Sequence, residues 1–70
     1  MTQTEWRNIF ANNLLCILRE KGMTQSQLAR DSGLSVSRIS EYINMNATPT
    51  IFAIINMAYA LDMEVGELVD

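Results

Sequence analysis

Residues 24–42 read TQSQLARDSGLSVSRISEY, and this stretch decides the fold. Thr24 is followed three positions later by Gln27, which is the spacing of a helix-capping box. Ser35 is also a favourable N-cap residue, so a second helix can begin after it. Between the two, Gly33 can adopt the positive φ that a sharp turn requires. The stretch therefore predicts two short helices joined by a turn, over about residues 25–32 and 36–44.

The second of these helices presents the side chains that can contact a partner. Leu28, Ala29, Leu34 and Ile39 are expected to fill the angle between the helices, and Ala29 is small because the second helix crosses close to it. Such a turn sets two helices at about 90–120° to each other. The outer face of the second helix then projects as a reader of the DNA major groove does. That face carries Val36, Ser37, Arg38, Ser40 and Glu41.

Three more helices are expected to surround this pair. The first opens with Thr2 and Glu5 at capping-box spacing and ends at Gly22. Another opens in Thr48-Pro49-Thr50, where either threonine can be the cap. The three helices are expected over about residues 2–21, from 48–50 to about 61, and over about 65–69. No segment alternates polar and apolar residues as a strand does, so we predict an all-α fold of five short helices around one core, with residues 1–70 as one domain.

Composition excludes several classes of protein. The 70 residues are 49% hydrophobic and include no histidine and one cysteine. Cys16 alone cannot form a disulfide framework, and a histidine-based metal site cannot form. No apolar run is long enough to span a bilayer, and the first residues do not resemble a signal peptide, so a cytoplasmic protein is expected. Nothing places a base beside a nucleophile, so we expect neither an enzyme nor a cofactor.

The acidic net charge of −3 argues at first against a nucleic-acid partner, but the charge is unevenly distributed. Residues 1–44 contain all five cations and four acids, whereas residues 45–70 contain four acids and no cation. A negatively charged partner would therefore meet the first part of the chain. A surplus of one positive charge is not a basic patch, so charge alone decides little.

The pattern resembles the phage-repressor and Cro-type (XRE-like) helix-turn-helix DNA-binding family. The resemblance covers nearly the whole chain and is carried by Thr24-Gln25, Leu28-Ala29, Gly33-Leu34, Ile39-Ser40, Thr48-Pro49-Thr50, Ile54, Ala58, Ala60-Leu61 and Glu67-Leu68. It implies a lambda-repressor-like domain whose helix-turn-helix spans about residues 25–44. It further implies a sequence-specific transcriptional regulator that binds double-stranded DNA.

The resemblance also implies roles for individual residues. Gln25 matches a residue that bonds a DNA phosphate and braces a neighbour that contacts a base. Val36, Ser37 and Glu41 match positions that contact base edges. The positions at or beside the DNA backbone are matched by Ser35, Arg38, Ser40 and Asn44.

Side-chain chemistry narrows these roles. Val36 can make only an apolar contact, such as one with a thymine methyl, whereas Ser37 can bond many base edges. Arg38 suits a phosphate or a guanine. Glu41 can accept a hydrogen bond from cytosine N4, or it can simply pair with Arg38 at the i, i+3 spacing. Each of these side chains could also belong to an ordinary solvated helix face.

The chain departs from the family at the end of the third helix. Family members often have Glu-Asn-Gly there, and this chain has Ile43-Asn44-Met45. A Leu18–Ile43 apolar contact can replace the ion pair that some members form. Without glycine at position 45, the resemblance does not predict the shape of this loop. The recognition face has one cation and one anion, so binding is expected to be weak or highly selective.

Apolar residues also occupy positions that are usually polar. Phe52, Ile55 or Asn56, Tyr59 and Met63 lie on one side of the fourth helix, and Ala11, Leu15 and Leu18 form a second stripe on the first. Exposed stripes mark partner surfaces. We predict a homodimer through Phe52, Tyr59, Met63 and Val65. The alternative is that Phe52 and Tyr59 belong to the core of a slightly different packing.

Two functions of different classes remain open. The first is a repressor that binds a pseudo-palindromic operator as a dimer, with its recognition helices about 34 Å apart, and blocks the polymerase. The second is a protein-interaction module of the same fold, such as an antitoxin or anti-repressor, with weak or no DNA binding. The low charge of the recognition face favours the second function. The first function is favoured by the residues that suit contacts with DNA, namely Gln25, Ser35, Arg38 and Asn44.

Overall fold

The computed structural model describes residues 1–70 and confirms an all-α fold with five helices in the expected order. The helices are α1 (Gln3–Lys21), α2 (Gln25–Ser32), α3 (Val36–Ile43), α4 (Ile51–Ala60) and α5 (Val65–Val69). α1 packs against α3 and α5, and α2 packs against α3 and α4. The longest helix therefore supports α3 on one side and α5 on another.

Four helices begin in the same way. Thr2, Thr24, Ser35 and Thr50 each accept a hydrogen bond at 3.1 Å from the backbone N–H three residues later. The first two complete capping boxes, as their spacing predicts. The cap of α4 is Thr50 rather than Thr48. These side chains satisfy backbone donors that would otherwise lack a partner at each helix start.

The ends of α1 to α4 also share one geometry. Gly22, Gly33, Met45 and Asp62 follow these helices with positive φ values of 63°, 75°, 61° and 57°. The next residue in each case donates its N–H to the carbonyl five positions back, at 2.8–3.1 Å. This is the Schellman motif, which closes a helix through one left-handed residue. Met45 therefore adopts the left-handed conformation that a glycine would favour.

The Schellman motif explains why Met63 is not fully available to a partner. In this motif an apolar residue directly after the left-handed position often packs back on the helix that it closes. Met23, Leu34 and Met63 occupy that position after α1, α2 and α4, and all three are half-buried against the core. The predicted surface placement of Met63 is therefore only partly correct.

The core joins all five helices and is larger on α1 than predicted. Its fully buried large side chains are Phe10, Leu14, Leu28, Ile39, Met57, Leu61 and Leu68. The prediction that Ala11 and Leu18 form an exposed stripe is wrong, since they are 3% and 5% exposed. The reason is that α1 packs against two helices, α3 and α5, and so buries a wide face. Leu15 lies at the boundary and is half-buried.

Polar contacts tie α1 to the second half of the chain. The Arg7 Nε donates to Thr48 Oγ1 at 2.7 Å, and the Thr48 hydroxyl donates to Gln3 Oε1 at 3.1 Å. Near the middle of α1, the Asn13 side-chain amide donates to the Leu68 carbonyl at 3.2 Å. The first contact holds the start of α1 beside the loop that leads into α4, and the second fixes α5.

Candidate nucleic-acid interface

The turn between α2 and α3 is short and internally bonded. It consists of Gly33, Leu34 and Ser35, between the end of α2 and the start of α3. The Ser32 hydroxyl donates to the Ala29 carbonyl at 3.3 Å and accepts from the Leu34 N–H at 3.4 Å. These bonds satisfy the buried Ser32 side chain and hold the turn. The orientation of α3 is therefore fixed by local bonding as well as by packing.

Two buried side chains anchor α3. Ile39 is fully buried, and Tyr42 packs edge-on against Phe10 of α1 with ring centroids 6.2 Å apart. Burial raises the pKa of the Tyr42 hydroxyl. Two nearby charges have smaller effects on this pKa: Arg38 lowers it and Glu41 raises it. Tyr42 is thus a core residue of α3 whose hydroxyl is also close enough to Arg38 and Glu41 to be affected by their charges.

The outer face of α3 and its caps are open to solvent. Val36 is 47% exposed, so its apolar side chain is open to contact. Ser40 is half-buried, while the remaining candidates on this element are exposed, namely Ser35, Ser37, Arg38, Glu41 and Asn44. The structure thus brings seven of the eight predicted contact residues to one helix and its two ends.

Several of these side chains already bond one another. The Arg38 Nη1 lies 3.4 Å from Glu41 Oε1, so the pairing considered as an alternative role for Glu41 is present. The Asn44 side-chain amide donates to the Ser40 hydroxyl at 3.2 Å. Both charged groups are well exposed, so their pairing contributes at most about 1 kcal/mol. A ligand of sufficient charge can separate them.

Gln25 belongs to α2 rather than to α3 and is its first residue. It borders a shallow open depression of about 330 Å³ together with Arg19, which the sequence analysis did not single out. Arg19 is exposed and has no carboxylate within salt-bridge distance. The sequence could have indicated Arg19, because it lies in the last turn of α1, just before the loop that leads to Gln25. A free cation beside a free amide suits an anionic group such as a phosphate.

The apolar face of α4 differs from the predicted one. Phe52 and Tyr59 are 68% and 86% exposed, so the alternative that they belong to the core is wrong. Ile55 rather than Asn56 shares their face, and Ile51, which was not predicted, adds to it. Val65 is half-buried against the core because it begins α5, which packs on α1 and α4.

Other kinds of site find little support in the structure. No three side chains among cysteine, aspartate and glutamate converge in a way that could hold a metal ion. No helix has both the length and the apolar character needed to cross a membrane. Cys16 is exposed on α1, and no buried side-chain polar atom lacks a hydrogen-bond partner.

A family model described as helix-turn-helix matches residues 17–68, from the last turn of α1 through α5. No curated protein sequence matches the chain significantly. The matched range contains every predicted contact residue described above.

Proposed function

Because the chain belongs to the helix-turn-helix family of the phage-repressor and Cro (XRE) type, a family of DNA-binding regulators, we propose that it represses transcription from a specific operator. The observation that carries the proposal is the outer face of α3, where Val36 and Ser37 stand exposed beside Arg38 on a helix held rigidly by Ile39 and Tyr42. We propose that residues 1–70 form one DNA-binding domain, with the helix-turn-helix at 25–44.

In this proposal α3 enters the major groove. Val36 contacts a thymine methyl, and Ser37 bonds a neighbouring base edge. Arg38 leaves Glu41 to bond a phosphate or a guanine, because a charge-assisted bond to DNA is stronger than an exposed ion pair. The released Glu41 can accept a hydrogen bond from cytosine N4.

The remaining candidates position the domain on the DNA backbone. Gln25 bonds a phosphate at the start of α2, with Arg19 beside it adding positive charge. Ser35, Ser40 and Asn44 lie at the two ends and the edge of α3, where the strands flanking the groove pass. Such contacts supply affinity and register but carry no direct sequence information.

We further propose that a homodimer binds a pseudo-palindromic operator and blocks the polymerase sterically. Two-fold symmetry would place the recognition helices about 34 Å apart, one turn of DNA. The exposed apolar face of α4, including Phe52 and Tyr59, supports association. This role places the protein in the cytoplasm with the nucleoid, and it requires neither catalysis nor a cofactor.

Selection of binding sites from random duplex DNA tests the proposal. We expect one enriched sequence with two-fold symmetry, bound in a salt-dependent way. Arg38→Ala should weaken binding to all sequences, whereas Val36→Ala should relax preference at one position in each half-site. Ser26→Ala, an exposed position on α2 outside the candidate interface, is the control. Absence of enrichment at any salt concentration contradicts the proposal.

One observation favours a second function. Because Arg38 is paired with Glu41, the outer face of α3 has no net charge, and the whole chain is acidic. A protein-interaction module, such as an antitoxin or anti-repressor, would use such a face without needing DNA. Recovery of a tight protein partner together with failed DNA selection would support this function.

A further inference from the structure

Arg7 is held in one orientation while part of its guanidinium group stays free. Its Nε donates to Thr48 Oγ1 at 2.7 Å and its Nη2 donates to Gln3 Oε1 at 3.5 Å, so one edge of the planar group is engaged. The two Nη1 N–H groups and the second Nη2 N–H have no partner, and no carboxylate lies within salt-bridge distance. Arg7 is half-buried, so this second edge can meet a ligand. A free guanidinium edge of this kind suits bidentate binding of a phosphate.

The guanidinium of Arg7 lies near the C-terminal end of α3. Phe10, three residues after Arg7 on α1, packs edge-on against Tyr42 in the last turn of α3. The loop after α3 folds back on the helix, since the Asn46 N–H donates to a carbonyl near its C-terminal end at 2.8 Å. Two further residues reach at most about 7 Å, so Thr48 stays close to this end. The bond from Thr48 therefore holds Arg7 beside the end of the helix that is proposed to enter the groove.

Without Arg7, this end of α3 would repel DNA. The helix dipole places about half a negative charge at a helix C-terminus. The last turn of α3 contains no basic residue, and neither the loop at 44–50 nor α4 contains a charged one. Glu41 adds a carboxylate near the same end. A backbone phosphate that passes here needs a cation from another element, and α1 supplies it.

The other cations of the chain are committed elsewhere. Arg30 lies on α2 and is paired with a carboxylate, and Arg38 belongs to the outer face of α3. Arg19 and Lys21 lie in the last turn of α1. Arg19 is twelve residues from Arg7, which corresponds to about 18 Å along the helix. One phosphate cannot bind both arginines, so Arg7 would add a separate contact.

We therefore propose that Arg7 binds a phosphate of the DNA backbone beside the C-terminal end of α3, and that Thr48 and Gln3 position its guanidinium group. The proposal rests on the DNA binding proposed above and adds a contact residue from outside the helix-turn-helix. Because two side chains already hold the guanidinium, little conformational freedom is lost when a phosphate binds. The domain would then hold the DNA backbone at the start of α2, through Gln25, and at the end of α3, through Arg7.

The salt dependence of binding tests the proposal. Each phosphate that a protein cation neutralises contributes about 0.9 to the slope of log affinity against log salt concentration. In fluorescence anisotropy with the full chain and a random duplex, Arg7→Gln should therefore reduce the magnitude of this slope by about one unit. Arg30→Gln removes the same charge from an exposed position on α2 and should keep the slope. Equal slopes for the two variants would overturn the proposal.

Two further variants distinguish a phosphate contact from a purely structural bond. Arg7→Lys keeps the charge but loses the planar fork, so it should keep the slope at a lower affinity. Thr48→Val removes the hydroxyl that positions the guanidinium, so it should lower the affinity by about two- to fivefold and also keep the slope. Far-UV circular dichroism at the assay temperature checks that every variant is folded. A slope for Arg7→Lys as low as that of Arg7→Gln would overturn the phosphate contact, and an unchanged affinity for Thr48→Val would overturn the positioning role.

These results separate the new contact from the proposed function. A chain that enriches one DNA sequence but keeps its salt slope in Arg7→Gln contradicts the Arg7 contact and leaves sequence-specific recognition standing. A chain that enriches no sequence but loses about one unit of slope in Arg7→Gln contradicts the operator and leaves the Arg7 contact standing. Failure to bind any duplex at low salt concentration overturns both.

Discussion

The Arg38 guanidinium lies 3.4 Å from the Glu41 carboxylate, one turn later on the exposed face of α3. The pair makes the exposed face of α3 neutral, and both groups are open to water. An exposed pair of this kind stabilises the fold by less than about 1 kcal/mol. The main effect of the pair is therefore on binding, because Arg38 is paired with Glu41, whose carboxylate repels phosphate.

Removal of the Glu41 charge should strengthen binding to DNA of any sequence. Glu41→Gln removes the cost of separating Arg38 from its partner, so we expect the affinity to rise by up to about fivefold, which corresponds to about 1 kcal/mol. Fluorescence anisotropy with a random duplex at low salt concentration measures this. Glu20→Gln removes the same charge from an exposed position on α1 and is the control. Equal affinities for both variants would contradict the prediction.

Substitution by alanine should lower the free energy of unfolding at Gly33 and raise it at Gly66. A Cβ at Gly33 or Gly66 would meet no atom within 4 Å, so neither substitution causes a clash. Gly33 has a φ of 75°, and a non-glycine residue there costs about 1–2 kcal/mol. Gly66 is within α5, where alanine should stabilise by about 0.5–1 kcal/mol. Urea unfolding measures both, and destabilisation by Gly66→Ala would contradict the account.

Substitution of Met45 by glycine should stabilise the fold. Its φ of 61° costs about 1–2 kcal/mol for an L side chain, and it is largely exposed, so little packing is lost. Glycine adds freedom to the unfolded chain at a cost of about 0.4–1 kcal/mol. We expect Met45→Gly to raise the free energy of unfolding by up to about 1 kcal/mol. Met45→Ala keeps the strain, so a similar gain for that variant in thermal unfolding would refute the explanation.

Tyr42 should make the fold sensitive to alkaline pH. Its pKa is raised in the folded state by burial, so above about pH 10 the unfolded chain releases this proton more readily than the folded chain. The free energy of unfolding should therefore fall as pH rises from about 10 towards the folded pKa. Tyr42→Phe should remove that part of the decline, whereas Tyr59→Phe, at an exposed position, should keep it. Urea titrations at several alkaline pH values compare them.

The helix boundaries could be predicted because their signals are local. Thr24 and Gln27 cap α2 from within its first turn, and no distant contact is needed to recognise them. The choice between Thr48 and Thr50 could not be predicted. Both threonines have the chemistry of a cap, and only the structure shows that Thr50 accepts from the Ala53 N–H while Thr48 accepts from Arg7, 41 positions away.

The extent of burial on each helix was harder to predict than the helix itself. Leu18 is buried because α1 has neighbours on two sides, and a sequence pattern gives one face but not the number of neighbours. Met63 is half-buried because Asp62 turns the chain back on α4. For the candidate interface, the face of α3 could be predicted from spacing. The proximity of Arg19 to Gln25 could not, since it depends on the angle between α1 and α2.

The Schellman ends described above make the backbone hydrogen bonding outside the helices entirely short-range. Each such bond joins residues no more than five positions apart, from Trp6 with Thr2 to Asp70 with Gly66. Only side-chain bonds from Gln3, Arg7 and Asn13 reach across the chain. A small all-helical domain of this kind should refold within microseconds to milliseconds. Temperature-jump kinetics of Asn13→Ala measure whether the bond from α1 to Leu68 forms before or after the rate-limiting step of folding.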